Sequence, residues 1–381
     1  MKTNKRFLIL TSDSGFGHRS AANSVLKALE VKYPQQAKGL IVNPILETDM
    51  PKLVRQIDTG YDSRVKSASK LYRFTYEISD SRPVSEVLES ALTLMLQKNI
   101  KELIHNLNPD AVLSTNQMFN APTGAVLKDL NLSVPFFTTV TDLADVHALW
   151  FGSGPDRYFV ASDWVKIKAL ENNVPEDRIT ISGVPVDPDF TLSGQEKSAL
   201  REGLGLQSDI TTVLFVGSVR VFNIVQSLQA LEKVSCPIQV VVITGGDKNL
   251  FVQLSELKFK FPFYLHDFVT NMPEWMRAAD VLITKAGGLI LSEGLAAGLP
   301  SVIINYLPGQ EEGNVRYILS HQAGSWVQNS TEMASVLNYW LSDDQKRLKM
   351  VASNSKELGH PDSALQIAEA LWEASEKPVS Y

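Results

Sequence analysis

Cysteine is almost absent from this sequence of 381 residues, which contains only one, Cys236. A single cysteine excludes an intramolecular disulfide and a cysteine-based zinc site, and it is typical of a protein from a reducing compartment. Long apolar runs are absent as well. No window approaches the roughly 18 residues of a membrane-spanning helix, and Phe7–Leu10 is too short for the core of a signal peptide. The sequence therefore predicts a cytoplasmic protein.

An excess of positive charge is also lacking, because 36 lysines and arginines face 42 aspartates and glutamates and leave a formal net charge of -6. The chain as a whole has no electrostatic reason to bind nucleic acid. Hydrophobic residues make up 44% of the chain, which is enough to fill a core in each of two or three domains. This composition excludes a disordered protein.

Short apolar runs rich in β-branched residues alternate with helical stretches, which predicts an α/β fold with parallel sheets covered on both faces. In the first half, strands are predicted at Phe7–Leu10, Leu40–Ile45, Ala111–Thr115, Phe136–Val140 and Arg157–Ser162, with a helix from about Ser20 to Val31. In the second half, strands are predicted at Thr211–Ser218, Ile238–Gly246, Val281–Gly288 and Pro300–Asn305. Residues 183–210 are polar and turn-rich, so we predict two domains, at residues 1–188 and 205–362.

A glycine-rich turn connects the first predicted strand to the first helix and is followed by His18. The first amides of a helix lack intrahelical partners, so such a turn favours an anionic or hydroxyl-bearing ligand. A tight turn with a solvent-facing histidine is the alternative. The turn is not a P-loop, because no Gly-Lys-Ser/Thr follows, and this disfavours an ATP site.

The segment Ala278–Asn314 places Lys285-Ala286-Gly287-Gly288 between a strand and a helix. Glycines allow the backbone to approach a diphosphate, and the helix N-terminus supplies amides and a dipole to it. Glu293 comes within reach of a ribose diol if a nucleotide sits on this loop. Gln310 and Glu311 follow a Pro-Gly turn and could bind sugar hydroxyls. The segment therefore predicts a nucleotide-sugar site, although an exposed loop is an alternative for the Pro-Gly turn.

Six stretches resemble GT-B glycosyltransferases, and they occur in the order found in that family. They are SDSGFGHRSAA, GYDSRVKSASKLYRFTYEISD, TDLADVHALWFGSGPDRYFVAS, SGVPVDPDF, FVTNMPEWMRAADVLITKAGG and LPGQEEGNVRYI, and they span residues 12 to about 318. The family, similar to glycosyltransferase family 28, contains monogalactosyldiacylglycerol synthases and processive diacylglycerol glucosyltransferases. The resemblance implies two facing Rossmann-like, doubly wound domains with a cleft between them. It also implies a C-terminal helix, at about residues 363–378, that packs on the first domain.

The resemblance further implies inverting, metal-independent transfer from a UDP-sugar. The UDP-sugar is a substrate, so no cofactor and no metal site are expected. The donor is expected on the C-terminal domain, where the Phe-Val pair would lie along the nucleobase. In addition to the donor residues given above, the expected contacts are Gly217, Ser218, Phe268 and Val269.

Diacylglycerol is the expected acceptor, held by the N-terminal domain through Gly15, Phe16, Gly17, His147 and Trp150. Inverting transfer needs a general base for the acceptor hydroxyl. His18 is the first candidate, because an imidazole exchanges protons near neutral pH and the loop is expected to face the cleft. Asp142, just after a strand, is the second candidate. His147 could orient either group or bind the acceptor headgroup, and packing beside Trp150 is its structural alternative.

Residues 51–77 combine basic side chains with aromatic and aliphatic ones, and they include Lys66, Lys70, Tyr72 and Arg73. This combination is typical of an element that binds an anionic membrane surface, while a solvated helical hairpin is the alternative. Together with the family resemblance, it predicts a monotopic protein on the inner face of the cell membrane.

Transfer of glucose or galactose to diacylglycerol is the favoured function, and two alternatives remain open. The first is transfer of N-acetylglucosamine to a polyprenyl-linked acceptor. The second is a sugar-nucleotide-binding regulator without turnover. The sequence VGSVRVFN, at residues 216–223, suggests the regulator because the family commonly has a glycine-rich loop there.

Overall fold

The computed structural model describes residues 4–13, 16–46, 80, 82–217, 223–309 and 311–376. The chain divides into two compact units. The N-terminal unit comprises Met1–Pro188, Leu307–Gly313 and Asp362–Tyr381, and the C-terminal unit comprises Asp189–Tyr306 and Asn314–Pro361. Within the described residues, each unit contains one parallel sheet of six strands, with helices between the strands. The predicted two-domain α/β fold is confirmed.

The N-terminal unit is built on a sheet with the strand order β2-β1-β3-β4-β5-β6. The strands are β1 (Lys5–Leu10), β2 (Ala37–Val42), β3 (Ala111–Ser114), β4 (Phe136–Thr139), β5 (Arg157–Val160) and β6 (Ile179–Ile181). The helices before residue 188 are α1 (Phe16–Lys32), α2 (Arg82–Leu107), α3 (Asn120–Asp129) and α4 (Asp163–Glu171). Short 3₁₀ helices lie at Gln117–Phe119, Ala148–Phe151 and Glu176–Arg178.

The C-terminal unit has the strand order β12-β11-β10-β7-β8-β9. The strands are β7 (Thr211–Val216), β8 (Ile238–Ile243), β9 (Phe263–His266), β10 (Val281–Lys285), β11 (Ser301–Asn305) and β12 (Gly324–Trp326). The helices are α5 (Asp189–Leu192), α6 (Lys197–Gly203), α7 (Ile224–Leu231), α8 (Lys248–Ser255), α9 (Met272–Ala278), α10 (Gly288–Ala296), α11 (Glu312–Ser320), α12 (Ser330–Leu341) and α13 (Lys346–Leu358). A 3₁₀ helix lies at Asp343–Gln345. The first two residues of α11 belong to the N-terminal unit.

The last helix, α14 (Ser363–Glu376), belongs to the N-terminal unit. Alternate residues of β1 enter two apolar layers because side chains alternate across a strand. Phe7 and Ile9 pack in the layer that contains α1 and α14, whereas Leu8 and Leu10 pack in the layer that contains α2. The fully buried apolar side chains of α14 are those of Ala364, Ile367, Ala368 and Leu371. This helix therefore completes one of the two core layers of its unit.

The strand order of each sheet has a switch point, where successive strands are added on opposite sides. It lies between β1 and β3 in the N-terminal unit and between β7 and β10 in the C-terminal unit. Ligands of open α/β sheets bind beyond the carboxyl ends of the strands at such points. The loops that follow these four strands contain the glycine-rich turn, Thr115, Gly217 and the Lys285–Gly288 loop.

Several predicted boundaries are wrong by a few residues. Helix α1 begins at Phe16 rather than near Ser20, because the first amides of a helix need no intrahelical acceptor and Gly17 is tolerated there. Strand β2 runs from Ala37 to Val42 and ends before Pro44, which has no N–H for a ladder. The short strands β6, β9 and β12, of three or four residues each, were not predicted as strands.

Candidate active site

His18 lies in the first turn of α1, at the switch point of the N-terminal sheet. Its Nδ1 atom is 2.7 Å from the carbonyl oxygen of Thr115, the residue after β3. A carbonyl oxygen can only accept a hydrogen bond, so the geometry assigns the proton to Nδ1 and the lone pair to Nε2. The hydroxyl of Thr141 lies 3.1 Å from the same Nδ1. The imidazole ring is thus oriented by the segments that follow β3 and β4.

The Thr115 side chain links the start of α1 to the end of β1 through hydrogen bonds. Its hydroxyl lies 3.1 Å from the carbonyl oxygen of His18, 2.9 Å from the hydroxyl of Thr11 and 3.3 Å from the carbonyl oxygen of Leu10. Thr11 and Thr115 are both fully buried. The backbone of His18 is therefore held by the same residue that holds its ring.

Asp142 and Trp150 lie in the same corner of the unit as His18. Asp142 directly follows Thr141 and is half-buried. The ring centroids of Trp150 and His18 are 6.2 Å apart, and Trp150 is buried. Asn120 donates a hydrogen bond from Nδ2 to the carbonyl oxygen of Trp150 at 3.0 Å. The structure thus brings three of the predicted site residues into one corner.

His147 is buried and holds the backbone of the 3₁₀ helix that carries Trp150. Its Nδ1 accepts a hydrogen bond from the N–H of Leu149 at 3.1 Å. Burial lowers the pKa of His147, although the nearby Asp80 carboxylate opposes this change. Asp80 itself accepts a hydrogen bond from the N–H of Ala148 at 2.6 Å. The structure places His147 as the N-cap of this turn, with Nδ1 as an acceptor.

A carboxylate network at the glycine-rich turn is not evident from the motif itself. Both carboxylate oxygens of Asp13 accept hydrogen bonds from Arg19, at 2.8 and 3.0 Å, and Asn43 donates a third at 2.8 Å. The hydrogen bond from Arg19 lowers the pKa of Asp13. In the sequence, only the spacing of Asp13 and Arg19, six residues apart on either side of the glycines, indicates this contact. The network joins the ends of β1 and β2 to the first turn of α1.

In the C-terminal unit, the loop after β10 is held on two sides. Ala286 donates its N–H to the carbonyl oxygen of Asn305, at 2.8 Å, and accepts a hydrogen bond from Nδ2 of Asn314 at 3.0 Å. Asn314 is fully buried. Gly287 is the N-cap of α10, and Gly288 is its first residue. The first amides of α10 therefore form a rigid edge of the kind that binds a diphosphate.

The other predicted donor residues lie at the same edge of the C-terminal sheet. Gly217 follows β7, and a Cβ atom there would lie 3.0 Å from the side chain of Ile224, so this position favours glycine. Phe268 follows β9, and its side chain is 66% exposed. Next to it, burial lowers the pKa of His266. Val269 and Glu293 are half-buried. This edge therefore presents an exposed aromatic ring and a helix N-terminus.

Glu311 belongs to the N-terminal unit, as part of Leu307–Gly313. Its carboxylate accepts a hydrogen bond from the N–H of Leu307, at 2.9 Å, and its own N–H donates to the carbonyl oxygen of Leu307 at 2.9 Å. Glu311 is buried, so these contacts close a tight turn after Tyr306.

Several predicted residues lie outside the described part of the chain. They are Gly15, Lys66, Lys70, Tyr72, Arg73, Ser218 and Gln310, and the side chain of Phe16.

Across the described residues, histidine, cysteine, aspartate and glutamate form no group of three that could hold a metal ion. Nor does any helix within the described ranges have the length and apolar character needed to cross a bilayer. The absence of a cofactor stays a prediction.

Two family models match the chain, one in each half. The model for monogalactosyldiacylglycerol (MGDG) synthase matches residues 18–186, and the model for the glycosyltransferase family 28 C-terminal domain matches residues 211–367. The fold is shared with MurG from Acinetobacter baumannii, at 15% identity over 97% of this chain and 99% of that one, with a TM-score of 0.59. It is also shared with MnaA from S. aureus, at 13% identity over 99% and 100% of the chains, with a TM-score of 0.60.

The fold is that of GT-B enzymes, and the two family models together with the relatives identify the chain as a UDP-sugar glycosyltransferase. Among its relatives is the chloroplastic monogalactosyldiacylglycerol synthase 2 of Arabidopsis thaliana, 29% identical over 98% of this chain and 81% of that one. The chloroplastic enzyme of Spinacia oleracea is 27% identical over 97% and 72% of the two chains. The chain is thus similar to monogalactosyldiacylglycerol synthases over nearly its whole length, and its C-terminal half matches glycosyltransferase family 28.

These relatives overturn one expectation from the sequence. A cytoplasmic protein on the inner face of the cell membrane was expected, but the similar synthases are chloroplastic. The predicted location is therefore wrong. A single cysteine and a short apolar N-terminal run are compatible with the cytoplasm, but also with other reducing compartments.

Proposed function

We propose that this enzyme transfers glucose or galactose from a UDP-sugar to 1,2-diacylglycerol, with inversion at the anomeric carbon, and forms a β-monoglycosyldiacylglycerol. The observation that carries this proposal is the similarity to monogalactosyldiacylglycerol synthases over nearly the whole chain. The same relatives favour diacylglycerol over a polyprenyl-linked acceptor.

In the proposed reaction the hydroxyl oxygen of diacylglycerol attacks the anomeric carbon of the sugar. The bond from that carbon to the diphosphate oxygen breaks, and UDP leaves. The hydroxyl proton passes to Nε2 of His18, which its Nδ1–H tautomer leaves as the basic nitrogen. Asp142 is the second candidate for the base because it follows Thr141 at the same corner.

The leaving diphosphate needs compensation for its negative charge. We assign this to the first turn of α10, at Gly287 and Gly288, and to Lys285 at the end of β10. Glu293 is assigned to the ribose, and the exposed ring of Phe268 to the nucleobase. Lys285 is half-buried, a position in which its charge is less screened than on an open surface.

The test is an assay of purified enzyme with radiolabelled UDP-glucose, UDP-galactose and UDP-N-acetylglucosamine, each with diacylglycerol or a polyprenyl-diphosphate acceptor in mixed micelles. We expect a labelled monoglycosyldiacylglycerol from one UDP-hexose, with a β-anomeric coupling in its NMR spectrum. Labelled product only on the polyprenyl acceptor would contradict the proposal. So would binding of UDP without lipid-dependent UDP release, which indicates a regulator.

A further inference from the structure

Thr141 contacts the proposed base, and the sequence alone gives it no role of its own, although it is the first residue of the stretch TDLADVHALWFGSGPDRYFVAS. It is 5% exposed, and its hydroxyl oxygen lies 3.1 Å from Nδ1 of His18. That nitrogen is also 2.7 Å from the carbonyl oxygen of Thr115. Two oxygens from two different segments thus meet one ring nitrogen.

The Thr115 carbonyl oxygen can only accept, so it selects one tautomer of the ring, and the Thr141 hydroxyl then accepts from the same N–H. With the proton on Nδ1, both oxygens accept from a single shared N–H. With the proton on Nε2, the lone pair of Nδ1 would face the Thr115 carbonyl oxygen at 2.7 Å, and two acceptors would repel each other. The neutral ring therefore keeps its lone pair on Nε2.

We propose that Thr141 is a positioning residue, which acts with the Thr115 carbonyl to hold His18 as its Nδ1–H tautomer. The inference rests on the proposed function, in which Nε2 takes the proton of the acceptor hydroxyl. Once Nε2 is protonated, the ring is a cation. The same two oxygens then accept a stronger, charge-assisted hydrogen bond from Nδ1.

The experiment compares Thr141→Val, which removes the hydroxyl with little change of shape, with Thr141→Ser, which keeps it. Thr138→Val is the matched control, because Thr138 is a buried threonine whose hydroxyl lies 3.3 Å from the Ser114 carbonyl oxygen, not at His18. We expect Thr141→Val to lower kcat by roughly threefold to tenfold, the effect of one net hydrogen bond, with KM for the UDP-sugar unchanged. The serine variant and the control should keep the wild-type kcat.

The second readout does not depend on turnover. Long-range ¹H–¹⁵N spectra of protein labelled at its 6 histidines report which ring nitrogen carries the proton. The His18 signals are assigned by their loss in His18→Ala. We expect Nδ1–H in the wild type and in Thr141→Ser, and a measurable fraction of Nε2–H in Thr141→Val.

Unchanged ring shifts and unchanged kcat in Thr141→Val would overturn the inference while leaving the proposed function intact. An Nε2–H ring in the wild type would overturn it as well. The reverse failure is distinguishable: full transfer activity in His18→Ala would remove His18 as the base, while the ring spectra would still report what Thr141 does to the tautomer.

Discussion

Thr115 holds His18 at two points, because its carbonyl oxygen lies 2.7 Å from Nδ1 of the ring and its hydroxyl lies 3.1 Å from the His18 carbonyl oxygen. The two residues are 97 positions apart in the sequence. They meet because β1 and β3 are neighbours, so that the segments after them emerge side by side. A polar contact that fixes both the backbone and the ring leaves little freedom to the imidazole.

Replacement of His18 by alanine is the first test of the proposed chemistry. We expect kcat to fall by roughly 10²- to 10⁴-fold, the usual loss when a general base is removed. UDP affinity should stay nearly constant, because the donor contacts are assigned to the other unit. Turnover and UDP calorimetry measure the two quantities. His105→Ala, at an exposed histidine of α2, is the matched control. Normal turnover in His18→Ala with an inactive Asp142→Asn would identify Asp142 as the base.

The donor site is tested by Glu293→Ala and Gly287→Leu. The first variant removes the proposed ribose acceptor, and the second places a bulky side chain at the N-cap of α10, where the diphosphate is expected. We expect UDP to bind roughly 10- to 100-fold more weakly in each, the loss typical of a hydrogen bond to a charged group. Isothermal calorimetry with UDP measures this. Glu202→Ala removes an exposed carboxylate from α6 and should bind UDP normally. Wild-type affinity in both site variants would place the nucleotide elsewhere.

We expect the buried His147 to make the stability of the protein depend on pH. Burial lowers its pKa in the folded state below the ordinary value of 6.5, so the unfolded chain binds more protons between the two values. The contribution to stability is complete above pH 6.5 and is lost as the pH falls through the folded-state pKa. His147→Asn keeps a capping oxygen but cannot titrate, so its urea midpoint should depend less on pH below 6.5. Urea titrations from pH 8 to 5 measure the difference.

The exposed His105 provides the comparison for that experiment. His105→Asn should follow the wild-type curve at every pH, because this exposed side chain is surrounded by solvent in both the folded and the unfolded states. Parallel curves for the wild type and His147→Asn would show that the buried ring does not contribute to acid destabilisation.

Two adjacent buried threonines of β4 should respond oppositely to the same substitution. The Thr138 hydroxyl has the Ser114 carbonyl oxygen as its acceptor, whereas the Thr139 hydroxyl is buried and has no hydrogen-bond partner in the described part of the chain. Thr138→Val should lower the free energy of unfolding by about 1 kcal/mol. Thr139→Val should leave it unchanged or raise it by up to about 1 kcal/mol, because an unsatisfied hydroxyl is removed. Equal losses in both variants would mean that Thr139 has a bonding partner.

The order of strands and helices is predictable from the sequence because it depends on local periodicity. The apolar runs ending at Leu10, Ser114 and Lys285 are visible without any tertiary information. The predicted strand starts later than β2 does, because an edge strand is half-exposed and its apolar pattern is weak. Leu40, for example, is 46% exposed. Short strands such as β6 pair over only three residues, too few for a periodic signal.

The site is predictable only in part for a related reason. His18 and the Lys285–Gly288 loop lie beside glycines at strand-helix junctions, and this is a local signal. Thr115 and Thr141 are ordinary strand-end residues, and their role depends on which strands become neighbours. The capping bond from Leu149 to His147 depends on a turn that no residue in the motif specifies. The contacts of Thr115 and Thr141 with His18 join distant parts of the sequence, so they become visible only in the folded chain.

Because α14 belongs to the N-terminal unit, its position affects the order in which the two units can fold during translation. Its four fully buried apolar side chains belong to a core that includes β1, yet the ribosome makes them after the whole C-terminal unit. The N-terminal unit, which is translated first, therefore completes its core last. The C-terminal unit, Asp189–Tyr306 and Asn314–Pro361, can fold before that. Until α14 docks, the nascent N-terminal unit exposes the apolar side chains beside α1 that α14 later covers, a surface of the kind that chaperones recognise.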